Sequence, residues 1–214
     1  MATLSIQNLL PAYFEESRKS TSDIWGKEFT FTNGDFVKIV APSGTGKTSL
    51  IHFLYRMRED YYGNILYDGK DLKQHSQEET AALRKGRISI VLQDMRLFNE
   101  QTVLQNLEIK RQLNPYHPKE KIEEMAKRLG IGNRLNFMAK QCSYGEQQRA
   151  VIIRALLQPF DFLLLDEPFS HLDDANAEKA MELILEEVRQ RNAAVIFAEL
   201  ERVDYYPATH LYHL

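Results

Sequence analysis

Apolar and polar positions divide the chain into short apolar runs and longer helical repeats. Val37-Lys38-Ile39-Val40 reads as a buried strand, followed by a Gly-containing turn and a helix over 47–57. A strand over 63–69 lies between two turns, and another covers 88–92. From about 102 to 157 the period is mostly helical, with breaks near Asn114-Pro115, at 130–132 and at 141–144. The apolar run 162–166 predicts a buried strand ending at Glu167-Pro168, and 175–191 an amphipathic helix. Further strands are expected over 194–197 and 210–213. Strands alternating with helices predict an α/β fold with a parallel sheet, and the helix-rich middle, about 94–145, predicts an inserted subdomain.

Composition narrows this picture. The chain has 214 residues, which suits one domain with a sizeable core, and no internal repeat is visible. A hydrophobic share of 43% argues against disorder. The formal net charge of −3, without a long basic run, argues against a nucleic-acid partner. Cys142 is the one cysteine, so no intrachain disulfide can form, which suits a reducing compartment. The longest apolar stretches, 162–165 and 193–198, are too short to span a bilayer, and no secretion signal is read at the N-terminus.

The chemistry begins at Ala41-Pro42-Ser43-Gly44-Thr45-Gly46-Lys47-Thr48, between a strand and a helix. Glycines let backbone N–H groups approach a triphosphate, and the helix N-terminus adds partial positive charge. Lys47 offers a full charge to the β and γ phosphates, and the Thr48 hydroxyl can ligate Mg²⁺. Such a loop normally opens with glycine, whereas this one opens with Ala41. Alone, it indicates nucleotide binding and no more.

A second piece is Phe162-Leu163-Leu164-Leu165-Asp166-Glu167-Pro168. An apolar strand here delivers two carboxylates to its carboxyl end, where ligands sit in such sheets. Asp166 can hold Mg²⁺ through water, and Glu167 can polarise or position an attacking water. A third piece, Cys142-Ser143-Tyr144-Gly145-Glu146-Gln147-Gln148-Arg149, opens a helix. This string resembles the LSGGQQQR signature of ATP-binding cassette (ABC) ATPases. Ser143 and Gly145 are kept, Cys142 and Tyr144 replace Leu and the first Gly, and Glu146 replaces the first Gln. Other segments resemble that family in the same order. Val91-Leu92-Gln93-Asp94, followed by Leu97-Phe98 and Thr102-Val103-Leu104-Gln105-Asn106-Leu107, is similar to its Q-loop region. Ser170-His171-Leu172-Asp173 is similar to its D-loop.

The resemblance runs from about Leu4 to Leu214, and is greatest to the short lipoprotein-release, macrolide-export and cell-division type. It implies one ABC ATPase domain over 1–214: a P-loop NTPase core, an N-terminal antiparallel β subdomain and a helical insertion. It implies ATP and Mg²⁺, with Glu167, Gln93 and Lys47 catalytic, and Thr48, Gln93 and Asp166 at the metal. Nucleotide contacts fall to Tyr13, Ser43, Gly44, Thr45, Gly46, Lys47, Thr48, Ser49 and Gln93, Tyr13 being either an adenine-stacking ring or a core aromatic. Ser143, Gly145 and Glu146 are implied to reach a γ-phosphate held by the other subunit, and the D-loop to cross that interface. The implied partners are a second cassette, identical or different, and an integral membrane permease. The implied place is the inner face of the cell membrane. A DNA-repair or chromosome ATPase of the same superfamily would carry a coiled-coil insertion, and no sustained heptad run occurs.

One position breaks the pattern. The family carries a histidine that contacts the γ-phosphate after the strand following the catalytic carboxylate. Glu199 stands there, 32 residues after Glu167, whereas His210 lies 43 residues after it and belongs to the next strand. A carboxylate about 4 Å from a phosphate is repelled by about 4 kcal/mol at an effective dielectric near 20. Either Glu199 turns away, is protonated or pairs with a cation, or hydrolysis is slow, as in a degenerate, nucleotide-gated regulatory subunit, unless another group such as His171 compensates.

Overall fold

The computed structural model describes residues 1–13, 22–200 and 208–214. Two sheets organise them. β1 (Thr3–Pro11), β2 (Glu28–Thr32), β4 (Tyr61–Tyr67) and β5 (Lys70–Asp71) form an antiparallel sheet in the order β2-β1-β4-β5. β3 (Phe36–Val40), β6 (Ile88–Val91), β7 (Phe162–Asp166), β8 (Ala194–Glu199) and β9 (His210–His213) form a parallel sheet in the order β6-β7-β8-β3-β9. Between the strands run α1 (Lys47–Leu54), α2 (Gln77–Gly86), α3 (Val103–Leu113), α4 (Glu120–Arg128), α5 (Tyr144–Leu156) and α6 (Asp174–Arg191).

The apolar runs of β7 and β8 carry no alternation because both faces are covered. Leu163, Leu165, Val195 and Phe197 join one core with α3, α4, α5 and α6. Phe162, Leu164, Ala194, Ile196 and Ala198 join a second core with α1 and the antiparallel sheet. α1 is thus enclosed between two sheets, through Leu50, Ile51, Phe53 and Leu54.

Several boundaries differ from the sequence reading. The first helix stops at Leu54 rather than 57, because Arg56 takes a left-handed φ of 58°. β4 starts two residues earlier than 63, and Asp68 (φ 49°) with Gly69 (φ 81°) forms the turn into β5. α2 was not expected. It is a polar helix started by a capping box, in which Ser76 accepts from the Glu79 amide and Glu79 from the Ser76 amide.

One buried ionic cluster ties the turn before α4 to α6. Glu187, fully buried, lies 2.6 Å from His117 Nε2 and 2.5 Å from Arg191 Nη1. Burial pushes the Glu187 carboxyl up, but hydrogen bonds from His117 and Arg191 outweigh it and hold the group below the usual range. The Arg191 guanidinium also lies over the rings of Tyr116 and Phe160, at 3.7 and 4.6 Å.

Candidate functional site

The carboxyl ends of four parallel strands converge on one place. β3 runs into the loop before α1, β6 ends before Gln93, β7 ends on Asp166 and β8 ends on Glu199. A cleft of about 330 Å³ there is lined by Tyr13, Ser43, Gly44, Gly46, Lys47, Thr48, Ser49, Gln93, Glu167 and Leu200. Eight of these were expected at a nucleotide from the sequence. Thr45, also expected, is not among the lining residues; its hydroxyl donates to the Pro42 carbonyl at 2.8 Å and helps shape the loop.

The loop's geometry explains its residues. Gly46 holds φ 106°, and an added Cβ would stand 3.1 Å from the ring of buried Trp25. Ala41 needs no glycine: it is buried, does not take a positive φ, and its amide donates to the Glu199 carbonyl at 3.1 Å. Lys47, 4% exposed, donates to the Ala41 and Pro42 carbonyls at 2.7 and 2.9 Å, and its Nζ lies 3.6 Å from Glu167.

The acidic side is close-knit. Gln93 Nε2 donates to Glu167 Oε2 at 3.0 Å. The Thr48 hydroxyl donates to Asp166 Oδ1 at 3.3 Å, while Asp166 Oδ2 is buried without a hydrogen-bond partner. Burial raises the Asp166 carboxyl to about 6, against the Thr48 hydrogen bond, with Glu167 adding to the rise. Glu167 takes a left-handed φ of 45°, uncommon for a side chain of this size, and its amide is tied to the Ala198 carbonyl at 2.9 Å.

These oxygens fit Mg²⁺. A buried, unpaired Asp166 oxygen beside the Thr48 hydroxyl, in a cleft that Gln93 also lines, would suit a hard cation completed by phosphate oxygens. Among the described residues no group of three His, Cys, Asp or Glu side chains could hold a metal.

Tyr13 lies just past β1 and is 56% exposed, so it is not a core aromatic. Its hydroxyl is 2.5 Å from Ser49 Oγ, and the Arg58 guanidinium sits 5.2 Å from its ring centre. Arg58 and Leu200 are neighbours of the site that no motif announced.

Glu199 lies at the site end of β8, paired with Val40, and is 8% exposed. Burial raises its carboxyl to about 7; Lys38, on the same face of β3, pulls it down and Glu167 pushes it up. His210 pairs with Val37, three residues back from Val40, which puts it roughly 10 Å toward the opposite edge of the sheet. It bonds Thr209 and stacks on Tyr212, away from the cleft.

Ser143, Gly145 and Glu146 do not line this chain's cleft. Ser143 caps α5, accepting from the Glu146 amide at 3.3 Å while Glu146 accepts from the Ser143 amide at 2.8 Å. Burial works to raise Glu146, but the Ser143 amide and Arg134, 2.7 Å away, hold its carboxyl low.

Over residues 26–170 the sequence matches the ABC transporter family. The chain belongs to that family. It is 31% identical over 196 residues to the lipoprotein-releasing system ATP-binding protein LolD of Legionella pneumophila, covering 90% of this chain and 86% of LolD. It is 33% identical over 170 residues to the macrolide export ATP-binding/permease protein MacB of Bartonella henselae, which covers 78% of this chain and 26% of MacB. Its fold is that of the dimeric bacterial ABC transporter cassette MJ0796, at a TM-score of 0.80 and 23% identity, over 92% of this chain and 88% of that one. Among its described residues no helix is long and apolar enough to cross a membrane.

Proposed function

We propose that this chain is the ATP-hydrolysing subunit of a transporter, and that it powers a separate membrane permease by nucleotide-driven pairing of two cassettes. The observation that carries the reading is Glu167, held by Gln93 at 3.0 Å on one oxygen and facing Lys47 at 3.6 Å on the other. A carboxylate so placed, at the end of β7 beside the phosphate loop, can accept a proton from a water attacking the terminal phosphate. Lys47 and the loop amides bind the phosphates, and Gln93 orients Glu167. Mg²⁺, held by Thr48, Asp166 and Gln93, supplies charge to neutralise the phosphates.

Two relatives support the coarse role. LolD and MacB carry ATP-binding functions of a lipoprotein-releasing system and a macrolide exporter. A post-hydrolysis state of the MJ0796 dimer was solved bound to ADP and Pi. On this reading residues 1–214 are one cassette, with 94–145 as its helical arm, held on the inner face of the membrane by its permease. Tyr13 stacks on adenine with the face that Arg58 leaves open. Ser143, Gly145 and Glu146 serve a site on the second cassette.

A second reading, a slowly hydrolysing regulatory subunit, draws on Glu199 at the end of β8. Steady-state ATP turnover separates the two. The first reading expects wild-type turnover well above that of Glu167→Gln. Equal turnover of the two proteins would leave only the second.

A further inference from the structure

The nucleotide cleft is short of donors for a reacting phosphate. Lys47 is the one cation among its described lining residues, and it already faces Glu167. Asp166 and Glu199 end the neighbouring strands and bring further carboxyl groups. Phosphoryl transfer depends on positioned positive charge and hydrogen-bond donors around the terminal phosphate.

A donor of the right kind stands elsewhere on the chain. His171 is exposed and does not line its own cleft. Its ring stacks on Tyr144, the first residue of α5 and 68% exposed, with centroids 5.4 Å apart and planes 26° apart. The stack is held from beneath: a Cβ at Gly145 would meet the His171 carbonyl at 2.9 Å.

Hydrogen bonds hold the loop that carries the imidazole. Gln148 Nε2 donates to the Glu167 carbonyl and to Ser170 Oγ, each at 3.2 Å, and Gln148 Oε1 accepts from the His171 amide at 2.8 Å. Ser170 Oγ accepts from Gln148, and its free proton can be given to His171 Nδ1, 3.0 Å away. With Nδ1 accepting that proton, a neutral ring carries its own on Nε2. Among the described residues nothing accepts from that Nε2–H.

We propose that His171 donates from Nε2 to the terminal phosphate of a nucleotide held by a second copy of this chain, with Tyr144 fixing the ring's plane. The inference rests on the nucleotide-driven pairing proposed above. In a two-fold pair a patch on one copy meets a different patch on the other, and the reverse contact is made at the same time. In the proposed pair the patch of Ser143, Tyr144 and His171, which lies off its own cleft, is the one set against the partner's. Gln148 gives the contact a route back, since one side chain holds both His171 and the backbone of Glu167.

Complementation tests this directly. His171→Ala alone should hydrolyse ATP about 10²-fold more slowly than wild type, the scale for losing one donor at a reacting oxyanion. Adding an excess of Glu167→Gln chains, which bind ATP and pair but have no turnover of their own, should restore much of the first-turnover rate, because they lend His171 to an intact cleft. Adding Glu167→Gln/His171→Ala chains should not. Rescue also shows that His171→Ala is folded. His171→Ala turning over like wild type, or no difference between the two added chains, overturns the proposal. Wild type with no more turnover than Glu167→Gln overturns the hydrolytic reading beneath it, which is a separate result.

Discussion

Glu199 is the residue whose titration should be visible in the stability of the whole protein. Its folded carboxyl sits at about 7 against an ordinary 4.5, chiefly through burial. The fold therefore binds more protons than the unfolded chain between those values, and stability falls as pH climbs through that window. Above pH 7 the ionised group costs the fold about 3 kcal/mol relative to the neutral one. Glu199→Gln keeps the shape and removes the charge. Its stability gain over wild type should be about 2.5 kcal/mol larger at pH 8 than at pH 5. For a chain this size that is about 5–10 °C in melting temperature. Urea unfolding followed by the fluorescence of Trp25, the one tryptophan and fully buried, measures both proteins at both pH values. Asp166 also titrates, with its carboxyl raised to about 6, but it does so in both proteins and cancels. A wild-type-to-variant difference that is the same at pH 5 and pH 8, or larger at pH 5, would refute the reasoning.

Three other outcomes follow from the same geometry. Lys47→Ala removes the one cation among the described lining residues, so the thermal stabilisation that saturating Mg-ATP gives wild type should vanish; a wild-type-sized shift would remove the phosphate-loop assignment. Glu167→Gln should associate into pairs with Mg-ATP, and light scattering that shows only monomers at saturating nucleotide would count against pairing of identical copies. Arg191→Ala strips a guanidinium from fully buried Glu187 and should destabilise the chain by about 3 kcal/mol in urea; a loss under 1 kcal/mol would mean that His117 alone satisfies the carboxylate.

Much of this was legible in the sequence, for local reasons. The phosphate loop, the carboxylates after β7 and the start of α5 each consist of adjacent residues whose spacing sets their placement. α2 was missed because polar residues at 77–86 carry little apolar period, and its capping box was the available signal. Ala41 read as a defect, but its amide extends the β3–β8 pairing and its carbonyl accepts from Lys47, neither of which requires glycine. The sequence left open whether Glu199 is protonated, turned away or paired with a cation. Its protonation depends on burial and on Lys38 and Glu167, which the fold, not the sequence, brings near. The same holds for the placement of His171, whose backbone amide is held by Gln148 from 23 residues away.

The groups meant for phosphates are engaged with one another. Lys47 is held by two carbonyls and Glu167, Thr48 by Asp166, and Gln93 by Glu167. A triphosphate arriving in this cleft has to take Lys47 and Thr48 over from those partners, so part of its binding energy is used in rearranging the site. The rearrangement cannot stay local. Gln93 leads out of β6 toward α3, and the backbone of Glu167 is tied through Gln148 to the loop of Ser170 and His171. On the proposed reading, nucleotide contact at Glu167 would bias both the helical arm and the surface set against a second copy. A ligand shifts such an arrangement only by its differential affinity for the two states. Gln148→Ala should cut that link, leaving nucleotide affinity near wild type while weakening ATP-driven pairing of Glu167→Gln chains. Pairing in the Gln148→Ala/Glu167→Gln protein as tight as in Glu167→Gln alone, by light scattering across a nucleotide titration, would show that the coupling runs by another path.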